Sequence, residues 1–244
     1  MKWLKSMKTL VLFVFHQYND RVSSFFEKAL FKDKDVDFVV ISNDKENEFE
    51  IPHYVKVIKR ENVGYDFGGW SEGLLTEGLY QEYDTFIFVN SSVIGPFLPS
   101  YFKGRWTDIF VGGLTEKVKL FGCTINTCGD PLNKSHVQSY LFSMDKSTLD
   151  YLIQCEIFST TNMALAMPEA ICNKEIRMSR KILERGWNIG SLMPYYHGID
   201  FTFLDRSPSD YSIPFLYDVM YPKYENKLWR REQIVFIKGN RCFK

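Results

Sequence analysis

The chain has 244 residues, 45% of them hydrophobic and 25% charged, enough to build the core of one globular domain. Thirty Lys and Arg balance thirty Asp and Glu, which speaks against a surface organised around nucleic acid or anionic membrane. The five cysteines, Cys123, Cys128, Cys155, Cys172 and Cys242, are odd in number and never at C-x-x-C spacing. That pattern argues against a zinc site or a full disulfide framework, and reduced thiols in a cytoplasmic setting fit it.

Lysines precede the apolar run Thr9–Phe15. The run is too short for a signal peptide or a membrane span, and it reads as a first strand buried on both faces, over Leu10–His16. Val22, Phe25, Phe26, Ala29 and Leu30 then recur at helical spacing within Asp20–Phe31. Val36–Ser42 and Val55–Lys59 are the second and third strands. A helix over Phe67–Tyr80 and a fourth strand over Thr85–Val89 follow. This alternation predicts an α/β fold with a mainly parallel central sheet flanked by helices. Further on, strands are expected at Ile109–Leu114, Lys119–Thr124 and Gln138–Ser143. Asp145 opens a helix that covers Leu149–Ile157. A helix over Lys174–Arg185 ends at Gly186, and Trp187–Met193 is another strand. Ser207–Asn226 reads as irregular, and Gln233–Lys238 as a last short strand. No repeat or linker divides the chain. One domain is expected, with residues 1–100 forming a ligand-binding half and 101–244 a second half.

Two stretches stand out: Arg60-Glu-Asn-Val-Gly-Tyr-Asp-Phe-Gly-Gly-Trp70 and Phe86-Ile-Phe-Val-Asn-Ser-Ser-Val-Ile-Gly-Pro96. Each runs from an apolar segment into glycines and short polar residues. At the carboxyl ends of parallel strands such residues line ligand crevices. They predict a nucleotide-sugar site. Asn43 and Asp44 follow the second strand, where they either take a nucleoside or simply turn the chain. Gly64 allows a close backbone approach. Asp66 lies between Tyr65 and Phe67, and either caps a helix or meets a ligand. Asn90, Ser91 and Ser92 end the fourth strand, where many sugar transferases carry an Asp-x-Asp metal motif. Asn and Ser are weak ligands for a hard cation, so a requirement for Mn²⁺ or Mg²⁺ stays open, with Asn90, Ser92 and His197 as the metal candidates. Glu175 at a helix start either complements the dipole or acts as a general base. His136 and Asp200 are further candidates for acceptor or phosphate contact.

At these residues the chain resembles the GT-A glycosyltransferases, and within them the rhamnan-synthesis-protein-F-like group, which includes glycosyltransferase domains of large DNA viruses. The resemblance rests on Glu61–Gly69, Phe88–Pro99, His136–Phe142, Glu175–Arg180 with Gly186, and Gln233–Arg241, in that order. It implies a single Rossmann-like domain that moves a sugar from a nucleoside-diphosphate donor to a glycan or glycoprotein acceptor. The expected mechanism is inversion, with Glu175 as base. The expected location is the cytoplasm, or the cytoplasmic face of a membrane. Two readings compete. A sugar nucleotidyltransferase would want a Gly-rich basic loop after the first strand, where Phe15-His-Gln-Tyr-Asn19 has no glycine. A non-catalytic sugar-binding or scaffold domain would explain the missing carboxylates at Asn90 and Ser92.

Overall fold

The computed structural model describes residues 7–213, 215, 223–224, 227–228 and 230–239. In chain order the elements begin β1 (Thr9–Phe15), α1 (Asp20–Ala29), β2 (Val36–Ser42), β3 (Lys56–Lys59), α2 (Tyr65–Leu75), β4 (Thr85–Asn90), β5 (Val93–Ile94) and α3 (Trp106–Gly112). They continue with β6 (Val118–Gly122), β7 (Ile125–Asn126), α4 (Pro131–Lys134), β8 (His136–Val137), β9 (Leu141–Asp145) and α5 (Lys146–Gln154). After these come α6 (Met167–Glu169), a π-helical turn (Ala170–Ile176), α7 (Arg177–Glu184) and β10 (Asn188–Ser191). The short strands β11 (Lys223–Tyr224), β12 (Lys227–Leu228) and β13 (Ile237–Lys238) complete the order.

Seven strands form one sheet in the order β10-β6-β9-β4-β1-β2-β3. Strands β1 to β4 pair in parallel. β9 runs antiparallel to both β4 and β6, and β10 is parallel to β6. β9 alone therefore opposes the others. The strand order reverses between β1 and β4, and open sheets form a crevice at such a reversal, beyond the carboxyl ends.

Every residue of β1 is buried. Leu10, Leu12 and Val14 enter one apolar layer with Phe67, Trp70 and Phe88. Val11, Phe13 and Phe15 enter the other with Phe25, Phe26 and Phe236. This two-sided burial is why the strand reads as an unbroken apolar run. α2 lies on the first layer, and its glycines bring it close. A Cβ on Gly69 would stand 2.7 Å from Val14 and one on Gly68 only 2.1 Å from the Val63 carbonyl oxygen. Gly69 thus lets α2 pack on the sheet, and Gly68 lets the start of α2 fold against the loop at Val63.

Several boundaries differ from the sequence expectation. Ile109–Leu114 is not a strand, because Trp106 and Phe110 are four apart on the buried face of α3. A short apolar run does not by itself distinguish strand from helix period. The helix expected over Phe67–Tyr80 begins at Tyr65 and breaks after Leu75, where Glu77 and Gly78 take positive φ. The helix carrying Glu175 begins at Met167, so Glu175 lies mid-helix and not in a first turn. Of the strand expected over Gln138–Ser143 only Leu141–Ser143 is strand, as the start of β9, and β8 ends before it at Val137. The final strand shrinks to Ile237–Lys238 after a 3₁₀ turn at Arg231–Gln233. Asp145 caps α5 as expected, accepting from the Thr148 N–H. Cys242 and much of Ser207–Asn226 lie outside the described residues.

Candidate functional site

A divided cleft opens at the carboxyl ends of the central strands. One compartment, of about 280 Å³, is lined by His16, Asn43, Asn62, Tyr65 and Asp66. The adjoining one, of about 390 Å³, is lined by Asn90, Ser92, His136, Gln138, Tyr140 and Lys238. Asp66, Ser139, Met167, Ile171 and Glu175 line both. Residues far apart in the chain thus converge at one mouth. The contributors come from both halves of the chain.

The loop after β3 is shaped by Gly64, whose φ of 78° is left-handed, and by Tyr65, which keeps φ 55° despite its side chain. A non-glycine residue in that region is strained, and such strain gathers at ligand sites. Arg60 locks this loop in place. The residue is 4% exposed; its Nε donates to Glu72 at 2.6 Å, Nη1 to the Asn43 Oδ1 at 2.7 Å and Nη2 to the Val63 carbonyl at 2.8 Å. The Asn43 amide in turn donates to the Tyr65 carbonyl at 3.2 Å. Both ends of the Asn43 side chain are therefore spent holding the wall of the cleft. The ring Nδ1 of His16 lies 3.0 Å from the Asn43 carbonyl, fixing the end of β1 against the end of β2.

Asp66 stands on the cleft floor. Asn90 Nδ2 donates to it at 2.9 Å, and Asn90 Oδ1 accepts from the Ser92 N–H at 2.9 Å. Although the residue keeps some accessible area, its carboxyl group is ringed by protein. Loss of hydration pushes its pKa up to about 6; Asn90 opposes the rise, Glu175 adds to it and Lys238 counters it. Between the ordinary 3.8 and about 6 the folded protein holds more protons than the unfolded chain. Stability at this group is therefore lost as pH rises through that window, and the cost is complete above it. Asp66→Asn, which mimics the neutral acid, is expected to gain about 3 kcal/mol at pH 8 and only about 0.5 kcal/mol at pH 4. Urea unfolding of both proteins at the two pH values checks this, and an equal effect at both would contradict it.

Glu175 reaches the cleft from the π-helical turn. Such turns re-aim side chains within a helix and often mark functional positions. Glu175 Oε1 accepts the Ser139 N–H at 2.7 Å, and Ser179, four residues on, accepts the Val137 N–H at 3.0 Å. The two acceptors satisfy the open edge of the β8 segment. Among the described residues the other Glu175 oxygen accepts no such bond. The neighbouring Lys174 is buried and donates to the carbonyls of Glu156 and Asn162, both at 2.6 Å. It anchors the helix from behind.

The remaining expected residues divide. Asn43, Asp66, Asn90, Ser92, His136 and Glu175 share the cleft. Asp44 does not line it and accepts the Glu46 N–H at 2.9 Å, which is turn chemistry. Ser91 turns its carbonyl to Arg21 Nε at 3.0 Å, and Gly64 packs against Met163. His197 and Asp200 line a separate cavity beside β6 and β10, where Asp200 pairs with Lys117. Arg60, Ser139 and Lys238 were not anticipated. Pro168 at the start of α6 was the available signal that the helix begins before Lys174.

A hard divalent ion wants about six oxygens, several from carboxylates. The polar atoms of Asn90 are committed to Asp66 and Ser92, and one Glu175 oxygen is committed to Ser139. Among the described residues no group of three or more His, Cys, Asp or Glu side chains is placed to hold a metal. The donor set at the β4 exit does not fit such an ion. Also among the described residues, no helix is long and apolar enough to cross a membrane.

A family model described as rhamnan synthesis protein F matches residues 38–215. The virulence protein VirA of Vibrio anguillarum is 36% identical over 101 residues, covering 39% of this chain and 28% of that protein. The matched stretch thus spans less than a third of that relative. A cytidylyltransferase from Leptospira borgpetersenii serovar Hardjo-bovis superposes with a TM-score of 0.40 at 11% identity, over 76% of each chain. At that score the likeness bears on neither fold nor activity.

Proposed function

The chain belongs to the rhamnan synthesis protein F family, and from that premise we propose that it is a glycosyltransferase, moving a sugar from a nucleoside-diphosphate donor to a hydroxyl of a glycan or glycoprotein. The observation that carries this reading is the shared position of Asp66 and Glu175 on the boundary between the two cleft compartments. The compartment of His16, Asn43 and Tyr65 suits the nucleoside, with a ring to pack on and strand-end polar groups at its rim. The compartment of Asn90, His136 and Gln138 is polar enough to hold a sugar by its hydroxyls. Glu175 stands where the two meet.

The chemistry assigned to Glu175 is general base catalysis. One carboxylate oxygen is fixed by the Ser139 N–H. The other takes the proton of the acceptor hydroxyl as that oxygen bonds the anomeric carbon. The anomeric carbon–phosphate oxygen bond breaks on the opposite face, and the nucleoside diphosphate leaves with the electron pair. Attack from the face opposite the leaving group inverts the anomeric centre. A cytoplasmic site of action suits a nucleotide-sugar donor and the four described cysteines, all free thiols. Turnover of UDP-, GDP- and dTDP-sugars, compared between the wild type and Glu175→Gln, tests the reading.

A further inference from the structure

We propose that the negative charge of the donor's diphosphate is met in this cleft by the Lys238 ammonium in place of a divalent cation; the inference rests on the nucleotide-sugar reading above. Two carboxylates, Asp66 and Glu175, already face the cleft. A diphosphate brought beside them needs a positive partner. The residues at the β4 exit do not fit a metal ion, as Asn90 is spent on Asp66 and Ser92. Among the described residues that line the two compartments, Lys238 is the one permanent cation. Lys238 lines the same compartment as Asp66 and Glu175.

The backbone that presents Lys238 is firmly held. β13 pairs antiparallel with β5, setting Lys238 opposite Val93 and Ile237 opposite Ile94. The Gly239 N–H donates to the Ser92 carbonyl at 2.6 Å. A Cβ at Gly239 would meet Ile94 at 2.5 Å, so glycine permits this contact. Ile234, Val235, Phe236 and Ile237 are all buried. The Phe236 ring lies 5.1 Å from Trp106, edge to face, and 6.3 Å from Phe25. On the other side of the β4 exit, Arg21 Nε donates to the Ser91 carbonyl. The backbone that carries Lys238 is thus fixed beside the β4 exit, within reach of an anion bound there. Lysine binds phosphate as a compact point charge, without the fixed fork that arginine would impose.

Calorimetric titration of UDP, GDP and dTDP tests this, first in excess EDTA and then with Mn²⁺ or Mg²⁺. At least one nucleotide is expected to bind in EDTA with a Kd within about threefold of its value in metal. Lys238→Gln is expected to raise that Kd by about tenfold or more, the worth of one charged hydrogen bond. Lys238→Arg should recover most of the loss. The affinity of Lys238→Gln for the uncharged nucleoside should not change. Binding that requires the metal, or a Lys238→Gln protein with wild-type Kd, overturns the inference and leaves the donor reading standing. If none of the three nucleotides binds in either buffer, the donor reading falls and this inference falls with it.

Discussion

Glu175→Gln is expected to bind the nucleotide sugar with near-wild-type affinity and to lose turnover by about 10²- to 10⁴-fold, the usual worth of a positioned base. The substitution suits the geometry. Glutamine keeps an oxygen that can accept the Ser139 N–H, as Glu175 Oε1 does at 2.7 Å. The edge of the β8 segment therefore stays satisfied and the π-helical turn keeps its seat. Only the capacity to take a proton is removed. Activity measured with saturating donor, beside the ligand-induced rise in unfolding temperature, separates chemistry from binding. Near-normal turnover would remove Glu175 as base. A wild-type protein that binds nucleotide sugars and transfers none would favour a sugar-binding scaffold.

Arg60→Met should cost about 2–3 kcal/mol of stability, the range for leaving buried acceptors without a donor. Methionine fills much of the same space but cannot donate. The Asn43 Oδ1 and the Val63 carbonyl would then lose their partner, and Glu72 its counter-charge. Arg60→Lys keeps the charge yet cannot reach three acceptors on three segments, so it should recover only part of the loss. Urea denaturation gives both values. A change for Arg60→Met within about 0.5 kcal/mol, the range of ordinary surface substitutions, would show that Arg60 does not hold the cleft wall.

The first half of the fold was legible because its strands are buried on both faces and its first helix shows plain periodicity. Thr9–Phe15 has no polar residue beyond its first, and Val22, Phe25, Phe26 and Ala29 mark one face of α1. The positions of Asp66 and Asn90 followed from the rule that strand ends line crevices. Arg60 did not, since a buried arginine and a solvated one look alike until their acceptors are placed. The glycines after β3 drew notice as ligand-facing, whereas at Gly68 and Gly69 the crowding atoms belong to Val63 and Val14. Glu175 was picked out for its residue type and assigned the wrong place in its helix, because the π-helical turn leaves no periodic mark. Lys238 sits in a block that was noticed, but its nearness to Asp66 depends on the pairing of β13 with β5 across more than 140 residues of chain.

The central claim is that the loop before α2, the β4 exit and the π-helical turn together form one donor site. Amide hydrogen exchange with and without the nucleotide sugar that turns over tests it most directly. Protection is expected at residues 62–67, 90–92 and 171–176 together, with a single dependence on ligand concentration. Protection confined to residues 117–121 and 188–200, around the separate cavity of His197 and Asp200, would contradict it, as would three segments that respond at unrelated concentrations.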